Sequence, residues 1–434
     1  MERITITSDA DFARAANAIA QRGEESGEDT GRERALQATR EVVDAVRAGG
    51  DRAVAMFTER FDGCKIAPDD FEIPREALEQ AAESIEPSIR VALETAAENI
   101  AAFHRRNLRQ SWRDEQPGGG VLGQRVTPLE SAGVYVPGGK AFYPSSVLMN
   151  IIPAKAAGVK DIIMVSPPSY QGSIHPLVLA AAHFAGATRV FRVGGAQAVA
   201  ALAYGTETIP QVLKITGPGN IYVTLAKRLV SDTVAIDKEA GPSEVAVLAD
   251  GSADPRLAAA EILTQAEHDE EASSVLMTSG AAFADAVMAA IDEELKTLSR
   301  ADIIRTSLAD NGRCYVARTI EEAADLVNIF APEHLALQVA DPESMLARIP
   351  NVGCAVLGAD TPVAAGDYFA GPNHILPTGR RARFESPLTT DDFVKITSLL
   401  AYSPEQLRNA APHVTALAKA EELTAHARAV ELRL

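Results

Sequence analysis

From residue 159 to about 230 this chain repeats one alternation. Short apolar runs rich in β-branched residues are followed by longer alanine-rich runs: KDIIMVSPP then HPLVLAAAHFAG, TRVFRVGG then AQAVAALAYG, VLKITGPG then NIYVTLAKRLVSD. Continuous apolar strands separated by helices of this length predict a parallel sheet covered on both faces. The alternation resumes after AGPSE (240–244). EVAVLAD leads into DPRLAAAEILTQAEHD, SSVLMTSG into a long alanine-rich helix, and RCYVA into TIEEAADLVNIF, with shorter pairs running through NVGCAVLGAD. Two α/β units meeting near residues 240–243 follow from this. Residues 1–110 read as mostly helical, with ALQATREVVDAVRAGG (35–50) ending at a glycine stop. DEQPGGG (114–120) is a turn, and the chain returns to helices from about residue 390.

The 434 residues, 47% hydrophobic and 23% charged, suit a globular chain with ample core. A net charge of −18 argues against nucleic acid or an anionic membrane as a partner. The amino terminus has no apolar signal core, and no apolar stretch reaches the ~18 residues of a membrane span. Three scattered cysteines make neither a disulfide framework nor a thiolate metal site. Cys314 and Cys354 sit in strand-like runs and read as small buried hydrophobes. The expectation is a cytoplasmic protein.

Two familiar motifs fail their structural tests. GGGVLG (118–123) satisfies G-x-G-x-x-G but precedes the strand-like QRVTPLE, with no helix to receive a pyrophosphate. PGGKA (137–141) lacks the spacing and hydroxyl residue of a P-loop, and no H-E-x-x-H occurs.

Polar chemistry gathers elsewhere. FAPEHLAL (330–337) sets Glu333 beside His334 in an apolar run, either a solvated loop tip or an acid–base pair. Gln265 and His268 lie three apart on a helix whose start is marked by Asp254 and Pro255, which puts both on one face. Asp367 and His374 share the glycine-broken stretch AAGDYFAGPNH, and Glu421 and His426 are five apart near the carboxyl terminus. Each pair alone has a bland surface reading. Gln265, His268, Asp367 and His426 together offer two nitrogens and two oxygens to one divalent ion, but spacing cannot show that they converge. His104, His175, His183 and His413 have no such company and read as structural or surface residues.

In order along the chain, GVYVPGGKAFYPSSVLMN (133–150), VGGAQAVAALAYGT (193–206), TGPGNIYV (216–223), AGPSEV (240–245), QAEHD (265–269), PEHL (332–335), AGDYFAGPNHILPTG (365–379) and EELTAH (421–426) resemble the L-histidinol dehydrogenase family. The resemblance covers nearly the whole chain. It implies a zinc-dependent, NAD-linked oxidation of L-histidinol through a bound aldehyde to L-histidine. It also implies a homodimer of two incomplete Rossmann-like units with helical amino- and carboxyl-terminal arms. The corresponding division is 1–25 as amino-terminal arm, 26–134 with 243–388 as the substrate and zinc domain, 135–242 as the NAD domain, and 389–434 as an arm reaching the partner subunit. By the same resemblance Gln265, His268, Asp367 and, from the neighbouring subunit, His426 would hold zinc. Ser243, Glu333, His334 and Glu421 would join them around the substrate, and Tyr135, Gln197 and Asn220 would contact NAD. One departure is visible: glycine is usual in the family where Glu422 stands.

Alcohol oxidation needs a base for the hydroxyl proton, and a histidine titrating near neutrality suits it. His334 is the expected base. Aldehyde oxidation then needs a nucleophile. No cysteine falls in a matched motif, which leaves water activated by Glu333. A paralogue oxidising another small alcohol such as a sulfonated diol, a zinc hydrolase built on Glu333 and His334, and a non-catalytic metal-binding protein are the rival readings. The hydrolase leaves GGAQ and GPGN without a role.

Overall fold

The computed structural model describes residues 1–22, 30–138, 142–239 and 241–434. Part of PGGKA (137–141) and Ala240 of AGPSEV lie outside the described residues, as does the junction of the first two expected domains at 25/26. Two parallel sheets organise the chain. The first holds β4 (Ser131–Tyr135), β5 (Asp161–Val165), β6 (Arg189–Phe191), β7 (Lys214–Thr216) and β8 (Ala235–Ile236), in the order β6-β5-β4-β7-β8. The second holds β1 (Glu2–Thr5), β9 (Glu244–Ala249), β10 (Ser273–Thr278), β11 (Arg313–Val316), β12 (His334–Gln338) and β13 (Cys354–Leu357), in the order β1-β11-β10-β9-β12-β13. Apart from β1, the two orders are the same path: outward through two neighbours, then back across the first strand.

The apolar strands bury both faces with a period of two. In β5, Ile162 and Met164 face one core while Ile163 and Val165 face the other. In β9, Val245, Val247 and Ala249 meet the helices Pro255–Ala266 and Ala281–Glu294, whereas Ala246 and Leu248 meet Asp9–Ala20 and Ile320–Phe330. The crossover helix Pro144–Ala157 is apolar almost all round and nearly every residue of it is buried. Such a helix needs a second layer outside it.

That need corrects the expected domain division. The helices Thr30–Asp62, Arg75–Ser84 and Pro87–Arg106 do not belong to the second sheet, where the zinc domain is expected. They form outer cover over the crossover helices of β4–β8. The expected boundary at 134/135 also cuts through β4. Nor is the amino terminus purely a helical arm. Ile4 and Ile6 alternate with polar residues, and β1 pairs in parallel with β11 (Ile4 opposite Tyr315), closing an otherwise open edge. The glycine stop expected at residue 50 is a break, not an end. Gly50 adopts φ 52°, the Glu207 carboxylate accepts from Asp51 N at 2.8 Å, and the helix resumes to Asp62.

The segment from 389 also begins as strand. β14 (Val394–Ala401) pairs antiparallel with β3 (Gly120–Pro128), which turns back through Gly118 and Gly119 to β2 (Trp112–Gln116). The GGGVLG stretch is therefore a hairpin turn and strand, as its flanks imply. The helices Pro404–Ala420 and Thr424–Glu431 follow β14. No helix among the described residues is long and apolar enough to cross a membrane.

Candidate active site

FAPEHLAL is not a solvated tip. The helix Ile320–Phe330 ends at Ala331 in a left-handed conformation, and Pro332 and Glu333 lead directly into β12 between β9 and β13. Glu333 is 7% exposed and His334 5%. They sit at the amino end of β12, where the last helical turn and the sheet edge close over them.

His334 Nε2 lies 3.2 Å from Asp367 Oδ1, and His334 Nδ1 is 3.8 Å from Glu333 Oε2 with no hydrogen-bond partner of its own. The backbone N–H of Glu244 donates to Glu333 Oε2 at 2.9 Å. Burial pushes the Glu333 carboxyl up to about 7 although His334 draws it down. Burial opposes charge on His334 too, but Glu333 and Asp367 outweigh it and hold the imidazole up at about 9. The Asp367 carboxyl stays below its ordinary value: burial raises it, and His334 more than reverses that. The three therefore share a proton in a nearly dry enclosure.

Sheet parity places the neighbours. His334 shares a strand face with Ala336, whose core includes the helix Pro255–Ala266. Asp254 caps that helix with Pro255 behind it, as expected, and Gln265 lies in its last turn. His268 is not on the helix. It follows the C-cap, in a turn where its N–H donates to Gln265 O at 3.2 Å. Its imidazole pKa is lowered, chiefly by burial and against the pull of Asp367. Gln265 is 2% exposed and its Oε1 has no hydrogen-bond partner. That orphaned acceptor, a neutral imidazole and the second oxygen of Asp367 are donors suited to zinc. Among the described residues no cluster of three His, Cys, Asp or Glu side chains forms a metal site.

His426, expected as the fourth donor, does not join them. Both it and Glu421 are exposed, and no hydrogen bond or ion pair among the described residues joins either to Glu333, His334 or Asp367. Ser243, half-buried, immediately precedes β9 and accepts from Ser273 N through its carbonyl at 2.9 Å. The remaining expected residues lie on the other sheet. Tyr135 ends β4, and its hydroxyl accepts from Gly195 N at 3.1 Å. Gln197 is buried near the start of the helix Gly195–Tyr204, with Oε1 unpartnered. Asn220 follows β7, and its Oδ1 caps the helix Ile221–Leu229 by accepting from Tyr222 N and Val223 N.

Glu244, Arg22 and Glu261 escaped the sequence reading, whereas His374, already noted beside Asp367, gains its contacts from the structure. Glu244, inside the quoted AGPSEV, lies buried behind Glu333 and pairs with Arg22 Nη2 at 3.1 Å. His374 accompanies Asp367 by way of its backbone, Nδ1 lying 2.9 Å from Asp367 O and Nε2 3.2 Å from Ser146 Oγ. Glu261 accepts from Val363 N at 3.0 Å, tying the helix Pro255–Ala266 to the segment carrying Asp367. A carboxylate or imidazole at a position otherwise apolar by periodicity was the available signal. Cys314 is buried as expected, whereas Cys354 is only half-buried and stands beside His334 in the parallel register. Burial, with Asp367 and Glu333, pushes the Cys354 thiol up to about 11, so it is protonated near neutrality and a poor nucleophile.

Comparison with known proteins gives this arrangement its context. Residues 26–434 match the sequence profile described as histidinol dehydrogenase. The histidinol dehydrogenase of Syntrophotalea carbinolica is 50% identical over 434 residues, covering 100% of this chain and 99% of that one. The histidinol dehydrogenase of Pseudomonas aeruginosa is 52% identical over 395 residues, covering 91% and 90%. Among solved structures, histidinol dehydrogenase from Elizabethkingia anophelis superposes with a TM-score of 0.93 at 33% identity, covering 100% of this chain and 98% of that one. With a buried acid–base pair set into two matching parallel sheets, and relatives of this identity along its whole length, the chain belongs to the histidinol dehydrogenase family of oxidoreductases.

Proposed function

We propose that the chain oxidises L-histidinol through L-histidinaldehyde to L-histidine, using zinc and NAD, in the cytoplasm. The observation that carries the reading is the buried Glu333–His334–Asp367 cluster: two groups able to move protons, each anchored by a separate contact.

His334 removes the hydroxyl proton of the alcohol. Its free-base fraction grows as pH rises toward 9. Glu333 has one oxygen committed to Glu244 N and the other left to take a proton from water attacking the aldehyde. With its pKa raised to about 7, it is a stronger base than an ordinary carboxylate. The protonated Cys354 thiol favours water over a thiohemiacetal route.

Gln265, His268 and Asp367 would hold zinc, with His426 supplied by a second copy of the chain. Bound zinc supplies a positive centre that fixes the nitrogens of the substrate and so positions its carbinol. Tyr135, Gln197 and Asn220 would hold NAD, which when bound accepts hydride. Ser243 and Glu421 would complete the substrate pocket. A homodimer is supported by the projecting β2–β3–β14 arm and its helices, which expose Trp112, Leu122, Leu400, Leu417 and Leu432.

The test is zinc-loaded protein with L-histidinol and NAD, measuring NADH and histidine together. Two NADH per histidine is expected, and release of aldehyde after one NADH counts against the reading. Glu333→Gln should oxidise the alcohol yet form histidine at least tenfold more slowly. Histidine at the normal rate would refute the role of Glu333.

A further inference from the structure

The first sheet has the strand order of a dinucleotide-binding unit, reversing direction between β4 and β7. In such units the ligand lies at the carboxyl ends of the strands at that reversal, and a carboxylate beyond the second strand takes the ribose hydroxyls. Here the second strand is β5. The residues after it, SPPSYQG (166–172), contain no carboxylate.

A carboxylate reaches the place from a different element. The helix Thr30–Asp62 packs against the helices Gly195–Tyr204 and Ile221–Leu229 and ends at this edge of the sheet. Two residues beyond its end, Cys64 Sγ donates to the carbonyl of Pro168, in the loop after β5, at 3.5 Å. Asp62 Oδ2 accepts from Gln197 Nε2 at 3.5 Å. Gln197 in turn follows Gly195, whose N–H donates to the Tyr135 hydroxyl. Asp62 is thus held between the β5 loop and the expected cofactor residues. It is partly open to solvent and makes no ion pair among the described residues. Burial without a compensating cation pushes its carboxyl up to about 6, as for an acceptor lacking strong donors.

We propose that Asp62 accepts hydrogen bonds from the adenosine ribose hydroxyls of NAD and sets the preference for NAD over NADP. A free 2′-hydroxyl donates to the carboxylate, whereas a 2′-phosphate would set two anions against each other. This deepens the reading of the first sheet as the NAD site and rests on it.

The test uses full-length, zinc-loaded protein. Affinities for NAD and NADP are measured by titration calorimetry, and kcat at saturating NAD by NADH absorbance, for wild type, Asp62→Ala, Asp62→Asn and Asp62→Glu. The expected result is at least tenfold weaker NAD binding in the alanine and asparagine variants. NADP binding should hold or tighten, kcat should stay within twofold, and the glutamate variant should largely restore the preference. An unchanged NADP-to-NAD ratio overturns the proposal, even where both cofactors bind more weakly, because that is what loss of mere support for Gln197 would give. Asp62→Asn preserves shape and carries the comparison should the alanine variant melt early. Wild type that binds no NAD would instead remove the NAD-site reading itself, and the proposal with it.

Discussion

Glu422, where the resemblance leads us to expect glycine, is held at φ 61°. It is the first residue past the C-cap of Pro404–Ala420. Its N–H donates to Lys419 O at 3.1 Å, while the N–H of Leu423 donates to Ala418 O at 2.8 Å. This paired closure ends many helices, and it requires a left-handed residue at the position Glu422 fills. An L-residue with a Cβ pays roughly 1–2 kcal/mol there relative to relaxed backbone. Glycine avoids that strain but loses up to about 1 kcal/mol more conformational entropy on ordering. The difference predicts that Glu422→Gly stabilises the turn by about 0.5–1 kcal/mol.

A local change is read locally. Hydrogen exchange of the backbone amides of Glu422 and Leu423 should slow by about two- to fivefold at constant pH, because 1.4 kcal/mol is a factor of ten in an opening equilibrium. Glu422→Ala keeps the strain and removes the charge, so it should show no such slowing. Exchange that is unchanged in the glycine variant, or slowed equally in both variants, would refute backbone strain as the cause. Glu422 is exposed and its side chain makes no hydrogen bond or ion pair among the described residues, so histidinol turnover should stay within twofold.

Two further outcomes follow from the same structure. His104 is fully buried with Nδ1 unpartnered, and burial lowers its pKa to about 4. The unfolded chain, titrating near 6.5, binds this proton first, so stability present above pH ~6.5 is lost as pH falls toward 4, by about 3 kcal/mol at most. His104→Phe should flatten the urea midpoint over that window, and an unchanged slope would show that other groups carry it. If His426 serves the site of a second copy, mixing inactive His426→Ala and His334→Asn proteins should restore roughly a quarter of wild-type turnover through hybrid dimers, on the order of one good site in half the molecules. No recovery after demonstrated subunit exchange would place the fourth zinc donor elsewhere.

The two-sheet core was legible because its physics is local. Strands buried on both faces read as unbroken apolar runs, and Asp254–Pro255 marks a helix start wherever it occurs. What was misplaced depends on contacts distant in sequence. MERITIT reads weakly as strand until β11 stands beside it, 311 positions from Ile4 to Tyr315. VKITSLLA becomes strand only against β3. Helical periodicity found the segments between 30 and 106 but not the sheet they cover, since the partners are the outer faces of helices that look fully buried already. In the site, adjacency made Glu333 and His334 conspicuous. Glu244, Arg22 and Glu261 act through folded proximity alone, and only a charge in a buried pattern could have announced them.

The connection between the sheets explains why both are needed. Only seven residues, 237–243, separate the carboxyl end of β8 from the amino end of β9, so these ends lie at most about 30 Å apart. Without a crossover helix, the chain cannot return along the second sheet before starting it. The carboxyl edge of the first sheet is therefore brought toward the amino edge of the second. Tyr135 and Asn220 mark the former edge; Ser243, Glu244, Glu333, His334 and Cys354 mark the latter. On the proposed reading, the second sheet departs from the usual rule that open α/β sheets bind ligands at their carboxyl ends. Its carboxyl edge is turned away, and its amino edge supplies rigid strand starts whose side chains are fixed by register. Proton-handling groups gain from that rigidity, because a hydrogen bond such as that from Glu244 N to Glu333 is set by the sheet itself and not by a loop. A device that lengthened 237–243 by several flexible residues would leave both sheets intact while separating their edges. Such separation would cost hydride transfer far more than stability.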